Sequence, residues 1–191
     1  MRLLLLIIIN FLLLGCISAV VKQDGTTLIL TVPYTFIYSN NIDWQEINYR
    51  ITHTTAKNII FKWTGRGGYT EIGFPFIEAV EKAKQEGKTI VFDVIGYSAS
   101  MHALAACRGT TLILEPDSYL LFHLMEVAGS VPMDKDSLDL SRRLMAYCIP
   151  FGILTNDDIN IVLTDKELWV YSDGHKVFKH DRRVPLKFIE R

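Results

Sequence analysis

The sequence predicts an α/β domain on a mainly parallel sheet, and three observations carry that prediction. Runs rich in β-branched and aromatic residues alternate with amphipathic helical stretches. From Thr27 the order is strand, helix, strand, helix, strand, helix, strand, which implies right-handed βαβ units. Breaker residues such as Gly87, Gly109 and Pro150 punctuate the changes of element. In such a sheet the functional loops lie at the carboxyl ends of the strands.

The elements follow in chain order. "TLILTVPYTF" is an extended segment broken or ended at Pro33. "NNIDWQEINYRITH" has helical spacing at Ile42, Ile47 and Ile51, with Asp43 near its start. "NIIFKWT" is a short strand, and "GRGG" from Gly65 to Gly68 is a loop needing unusual backbone angles. "YTEIGFPFIEAVEKAKQEGK" is a helix with Ile72, Phe76, Ala79, Val80 and Ala83 on one face. Pro75 falls in its first turns and Gly87 stops it.

"TIVFDVI" is the next strand, and "SASMHALAACRG" reads as a helix ending at Gly109. "TTLILEP" is a strand, and "DSYLLFHLM" turns and then runs extended. "DKDSLDLSRRLMAYCIP" is helical. "LTNDDINIVL" starts a short helix with Thr155 as N-cap and Asp158 in the capping-box position, so Asp157 and Asp158 take a capping role. "KELWVYSDGHKVFKHD" reads as a strand pair turning at Asp173-Gly174.

A chain of 191 residues with 49% apolar and 21% charged residues can bury one sizeable core. A net charge of −1 gives no electrostatic footprint for nucleic acid. The first 21 residues are read apart from the fold, as a targeting segment preceding a domain over 22–191. Arg2 is followed by an apolar run from Leu3 to Leu14, the layout of an export signal. Gly15-Cys16 looks like a lipobox, in which Cys16 would be lipidated. The 19 residues from Leu3 to Val21 would also span a bilayer uncleaved, and Ala19 offers a cleavage site. The lipid-anchored and uncleaved readings place the domain at the cell membrane, facing the periplasm or the exterior. Cys107 and Cys148 are far apart and form no CxxC, so neither a zinc site nor another metal is expected. An exported chain could pair them, but their apolar helical contexts favour two buried free thiols.

The chemistry of the loops turns on "GYSASMHALAA". A serine is a weak nucleophile without a base to take its proton. Ser100 lies where a helix follows a strand, so free backbone N–H groups surround it. The Gly67-Gly68 pair can turn a further N–H toward the same place. His123 interrupts the apolar run "YLLFHLM", as a positioned base or as a core histidine. His102, two positions beyond Ser100, points to a different helix face. His53, His175 and His180 sit in polar or terminal contexts.

"GRGGYTEIGFPFIEAV", "IGYSASMHALAACRG" and "TTLILEPDSYLLFHLM" together resemble the proteolytic subunit of Clp protease and its relatives, in order and approximate spacing, from about Asn58 to Met125 with a weaker tail to Trp169. The resemblance implies a crotonase/Clp-type fold of stacked βαβ units and a serine endopeptidase acting through a Ser-His-acid triad. Ser100 falls on the nucleophile and His123 on the base, while Gly68 and Met101 fall on the backbone oxyanion donors. In "KELWV" Glu167 takes the place of the family's aspartate, with Asp165 as the nearby alternative. Ser98 takes the place of a non-catalytic small residue. A peptide or protein substrate and a homo-oligomer are implied, and no cofactor.

The chain also departs from that family. His102 replaces a glycine, Leu124-Met125 replaces a polar-proline pair, and the stretch from Gly129 to Tyr147 is shorter than the family's protruding handle. Two rivals follow: a signal-peptide-peptidase-like protease with a serine-lysine dyad, for which Lys57 or Lys62 would be needed, and a lipoprotein that keeps the fold as a non-catalytic interaction scaffold.

Overall fold

The computed structural model describes residues 21–32, 36, 41–124, 135–164 and 166–180. The targeting segment as far as Val20, with Cys16, the alternative acid Asp165 and Met125 lie outside the described residues, and Val21, read as the last residue of that segment, instead opens the first strand. Strand β1 (Val21–Asp24) pairs antiparallel with β2 (Thr27–Val32). Helix α1 (Asn41–His53) leads to β3 (Asn58–Gly65), and helix α2 (Thr70–Gln85) leads to β4 (Thr89–Ala99). Helix α3 (Met101–Ala106), β5 (Thr111–Leu114) and β6 (Tyr119–Phe122) follow. Helix α4 (Lys135–Ala146), a 3-10 turn at Ile149–Phe151, helix α5 (Asn156–Val162) and the antiparallel pair β7 (Lys166–Tyr171) and β8 (Lys176–His180) complete the chain.

The sheet runs β1-β2-β3-β4-β6-β7-β8, with β5 beside β4. Its centre is parallel, as the alternation of elements predicts, and its edges are antiparallel. Period-2 alternation builds the core in rows across β2, β3 and β4: Leu28-Ile59-Ile90, Leu30-Phe61-Phe92 and Val32-Trp63-Val94. All nine side chains are buried. Helix α2 lays Phe76 into the same core, where it stacks on Trp63 at 5.2 Å. Burying side chains of this size contributes roughly 1.5–3 kcal/mol each.

On the side away from β3, strand β4 serves two partners. Val91 to Val94 pair with β5, and Tyr97 to Ala99 pair with β6. Gly96, at φ +74°, lies between the two sets. The strand therefore continues through Ser98 and Ala99, and the predicted helix starts later, at Met101. Small residues there suited a helix, but pairing with β6 supplies strand hydrogen bonds that outweigh that preference.

Two further expectations are corrected. Ile42 is 80% exposed, and the inner face of α1 is formed by Trp44, Ile47 and Ile51. Cys107 and Cys148 are not free thiols; they form a disulfide with Cα atoms 5.0 Å apart. Next to it the Arg108 guanidinium lies over the Tyr147 ring. The bond ties the end of α3 to the segment after α4, across a sequence separation of 41.

The capping box of α5 forms as predicted, with Thr155 Oγ1 accepting from the Asp158 N–H and Asp158 Oδ2 accepting from the Thr155 N–H. Lys176 Nζ donates to the same carboxylate at 2.6 Å and fastens α5 to β8. Among the described residues no helix is long and apolar enough to cross a membrane.

Candidate active site

Ser100 occupies the turn between β4 and α3 with φ +56° and ψ −128°. A non-glycine residue there carries strain of about 1–3 kcal/mol, and such strain persists only where the surroundings enforce it. Two bonds enforce it here. The Ser100 N–H donates to Leu121 O at 2.8 Å, and the Ser100 carbonyl accepts from the Leu104 N–H at 3.1 Å. The side chain does not cap the helix.

The glycine loop presses against this turn. Gly67 and Gly68 hold φ of +96° and +124°. A Cβ on Gly67 would fall 2.5 Å from Ser100 Cβ and 3.0 Å from Met101 N, and one on Gly68 would strike Phe36 O. Gly67 O accepts from the Phe36 N–H at 2.6 Å. Across a trans peptide the Gly68 N–H therefore points away from Phe36. Both predicted oxyanion donors thus lie on the two segments that meet at Ser100.

His123 stands one residue beyond β6. Along that strand Leu120 and Phe122 are buried in the core, so Tyr119, Leu121 and His123 share the opposite face. Strand β7 pairs antiparallel with Leu121 opposite Trp169 and Phe122 opposite Leu168, and one further step sets His123 opposite Glu167. Both residues line a cleft of about 380 Å³, with Arg66, Tyr97, Ala99, Tyr119 and Leu121. Ser100 follows Ala99 but is not part of that lining.

The present hydrogen bonds are specific. His123 Nδ1 faces Leu124 O at 2.6 Å. A carbonyl only accepts, so Nδ1 carries the proton, and in the neutral ring Nε2 is the basic nitrogen. Glu167 Oε2 accepts from Trp169 Nε1 at 3.3 Å. Glu167 thus shares the cleft with His123, and Leu124 O meets the imidazole at Nδ1.

Three of the other four histidines have contacts of their own. His102 is buried in the aromatic core, stacked on Trp63 at 4.4 Å and beside Phe36 at 4.5 Å. Its different helix face is thus a core face. His53 stacks on Tyr49, and His175 stacks on Tyr171 at the β7–β8 turn. Ser98 is buried within β4.

The two lysines are poorly placed for a dyad. Lys57 precedes β3, whose eight residues put it about 26 Å from the end of the sheet where Ser100 lies. Lys62 forms an ion pair with Asp93 on the neighbouring strand.

Sequence patterns did not point to Arg66, Tyr97 or Tyr119 as cleft residues. Tyr97 and Tyr119 stack with centroids 5.9 Å apart, and Tyr119 stacks on Trp169 at 4.9 Å. Arg66 Nε donates to Tyr97 Oη at 3.2 Å, and that bond raises the Arg66 pKa above its ordinary value. Burial raises the Tyr119 phenol, so it stays protonated at neutral pH. The signal was present only as alternation along β4 and β6.

No protein-family description matches the chain, and no curated protein does. Solved structures do. A mutant of the 1510-N membrane-bound stomatin-specific protease superposes with a TM-score of 0.58 at 7% identity, covering 80% of this chain and 76% of its own. A second mutant of that protease, in complex with a substrate peptide, gives 0.57 at 9% identity over 77% and 70%. A monofunctional enoyl CoA isomerase from M. smegmatis gives 0.55 at 15% identity over 83% and 69%. At these identities the likeness is one of fold: a mainly parallel sheet of alternating strands and helices, as the order of elements predicts, and of the crotonase/Clp type that the family resemblance implies.

Proposed function

We propose that the chain is a Clp-like serine peptidase, exported and anchored at the membrane through its N-terminal segment. The single observation that carries this reading is the strained turn at Ser100. A non-glycine residue held at positive φ between strand and helix, with Gly67 packed on its Cβ, is costly for a purely structural serine. Ser100 Oγ attacks a peptide carbonyl, and His123 Nε2 takes its proton. The carbonyl carbon becomes tetrahedral, and the Gly68 and Met101 N–H groups stabilise its oxyanion. His123 then gives the proton to the leaving amine, and water, deprotonated by His123, releases the acyl group from Ser100. Glu167 stabilises the imidazolium formed at each step.

The disulfide supports export, because such bonds persist in oxidising compartments. Lipidation at Cys16 is the proposed anchor, and Cys16→Ser should abolish fatty-acid labelling. The scaffold alternative is favoured by one observation: the Glu167 carboxylate accepts a hydrogen bond from Trp169 Nε1.

Fluorophosphonate labelling decides between them. Wild type should label, and Ser100→Ala and His123→Ala should not. Glu167→Gln should keep measurable labelling, because Leu124 O still orients the imidazole. Absence of labelling on folded wild type would sink the peptidase reading in favour of the scaffold. Labelling that survives His123→Ala but not Lys62→Ala would favour the serine-lysine dyad.

A further inference from the structure

The cleft carries a cation, Arg66, that the proposed triad does not use. Arg66 stands at its β3 edge, with Nε donating to Tyr97 Oη. Among the described residues no carboxylate forms an ion pair with Arg66. Glu167, the carboxylate that lines the cleft, stands on β7. Three strand spacings separate β3 from β7 in the sheet, about 14 Å in all. Glu167 is also engaged with Trp169 Nε1.

Between those edges lie the stacked rings of Tyr97 and Tyr119, beside Ala99 and Leu121. Arg66 held through Nε still presents its two terminal nitrogens. They form the planar fork that grips a carboxylate by two parallel hydrogen bonds. The tyrosine faces suit the aliphatic or planar stem that would carry such a group. Arg66 also directly precedes Gly67, which packs on Ser100. An anion held by Arg66 would lie next to the reacting carbonyl and far from Glu167.

The geometry points to a carboxylate-selecting subsite, in which Arg66, steadied by Tyr97 and walled by Tyr119, binds a peptide carrying a carboxylate beside the bond to be cleaved. The inference rests on the peptidase reading for its ligand being a peptide, but its anion preference is measurable without catalysis. The carboxylate is that of an Asp or Glu side chain or of a free C-terminus. Both present the same group to the guanidinium.

The test uses the Ser100→Ala protein and fluorescent peptides read by anisotropy. One pair of capped peptides differs by Glu against Gln, and a second pair by a free C-terminal acid against its amide. The charged member of at least one pair should bind about fivefold more tightly, the scale of an exposed bidentate pair. The pair that shows the advantage identifies the source. Added Arg66→Gln should remove the advantage, and added Tyr97→Phe should reduce it. Equal binding within both pairs, or an advantage that survives Arg66→Gln, would overturn the subsite. Wild type that fails fluorophosphonate labelling while the carboxylate preference holds would sink the peptidase reading alone. Labelling without the preference would sink the subsite alone.

Discussion

The imidazole of His102 fills the space that a side chain at Gly65 would need. A Cβ there would fall 2.5 Å from its Cε1 and 2.6 Å from its Nδ1. The ring is also stacked on Trp63, whose Nε1 donates to His102 O at 3.1 Å. Gly65→Ala must therefore push the ring into a packed aromatic cluster. It should destabilise the protein by about 1–3 kcal/mol. His102→Ala in the same background should cost less than the sum of the single changes, because it vacates the contested space. Urea titrations of the four proteins in that cycle would show strict additivity if the two positions were independent.

Ser100 makes the opposite prediction. Its positive φ suits glycine, so Ser100→Gly should be more stable than Ser100→Ala by about 1 kcal/mol. Both variants should lose fluorophosphonate labelling. Melting temperatures of the pair test the strain directly, and a Ser100→Gly protein no more stable than Ser100→Ala would mean that the turn stores none.

Breaking the Cys107–Cys148 bond frees two segments that are 41 positions apart in sequence. Loop-closure entropy of that span corresponds to roughly 4 kcal/mol. The Cys107→Ser/Cys148→Ser protein should unfold at markedly lower denaturant concentration, and thiol reductant should shift wild type but not the variant. A reductant effect of equal size on both proteins would count against the bond.

Acid should loosen the attachment of β8. Burial pushes the Asp158 carboxyl up, but hydrogen bonds from Lys176 and Thr155 outweigh it and hold the group below its ordinary value of 3.8. A depressed folded value means that this stability is fully present above about pH 4 and is lost as the pH falls through the folded value. Asp158→Asn should therefore lower the melting temperature at neutral pH and flatten its fall toward acid. Parallel curves for the two proteins between about pH 3 and 7 would show that another carboxylate dominates.

Much of the fold is written in local patterns. The alternating β2 and β3 segments, the apolar face of α2 and the capping box at Thr155 are each set by residues within one or two turns of one another. The boundary between β4 and α3 is different. Ala99 and its neighbours carry no strand preference, and the strand persists because β6 pairs there. Ile42 shows the same limit, since helical spacing alone does not reveal that Trp44 is the residue facing the core.

The disulfide depends on α3 and the segment after α4 meeting in space, which spacing along the chain does not encode. Within the candidate site, Ser100, His123 and the glycine loop stand out by residue type. The row of Tyr97, Tyr119 and Trp169 exists only because β4, β6 and β7 are neighbours. Arg66 gains its role from that row.

The handover along β4 separates two mechanical regions on one strand. Below Gly96 the strand is clamped between β3 and β5 over the aromatic core, and above it Tyr97 to Ala99 carry the seam to β6. Opening that seam would move His123 and Glu167 relative to Ser100. The half that carries the candidate site should open at a cost below that of global unfolding. Amide exchange should divide there, with β6 and β7 exchanging before the first half of β4, so that the geometry of the candidate site can be lost and regained while the rest of the molecule stays folded.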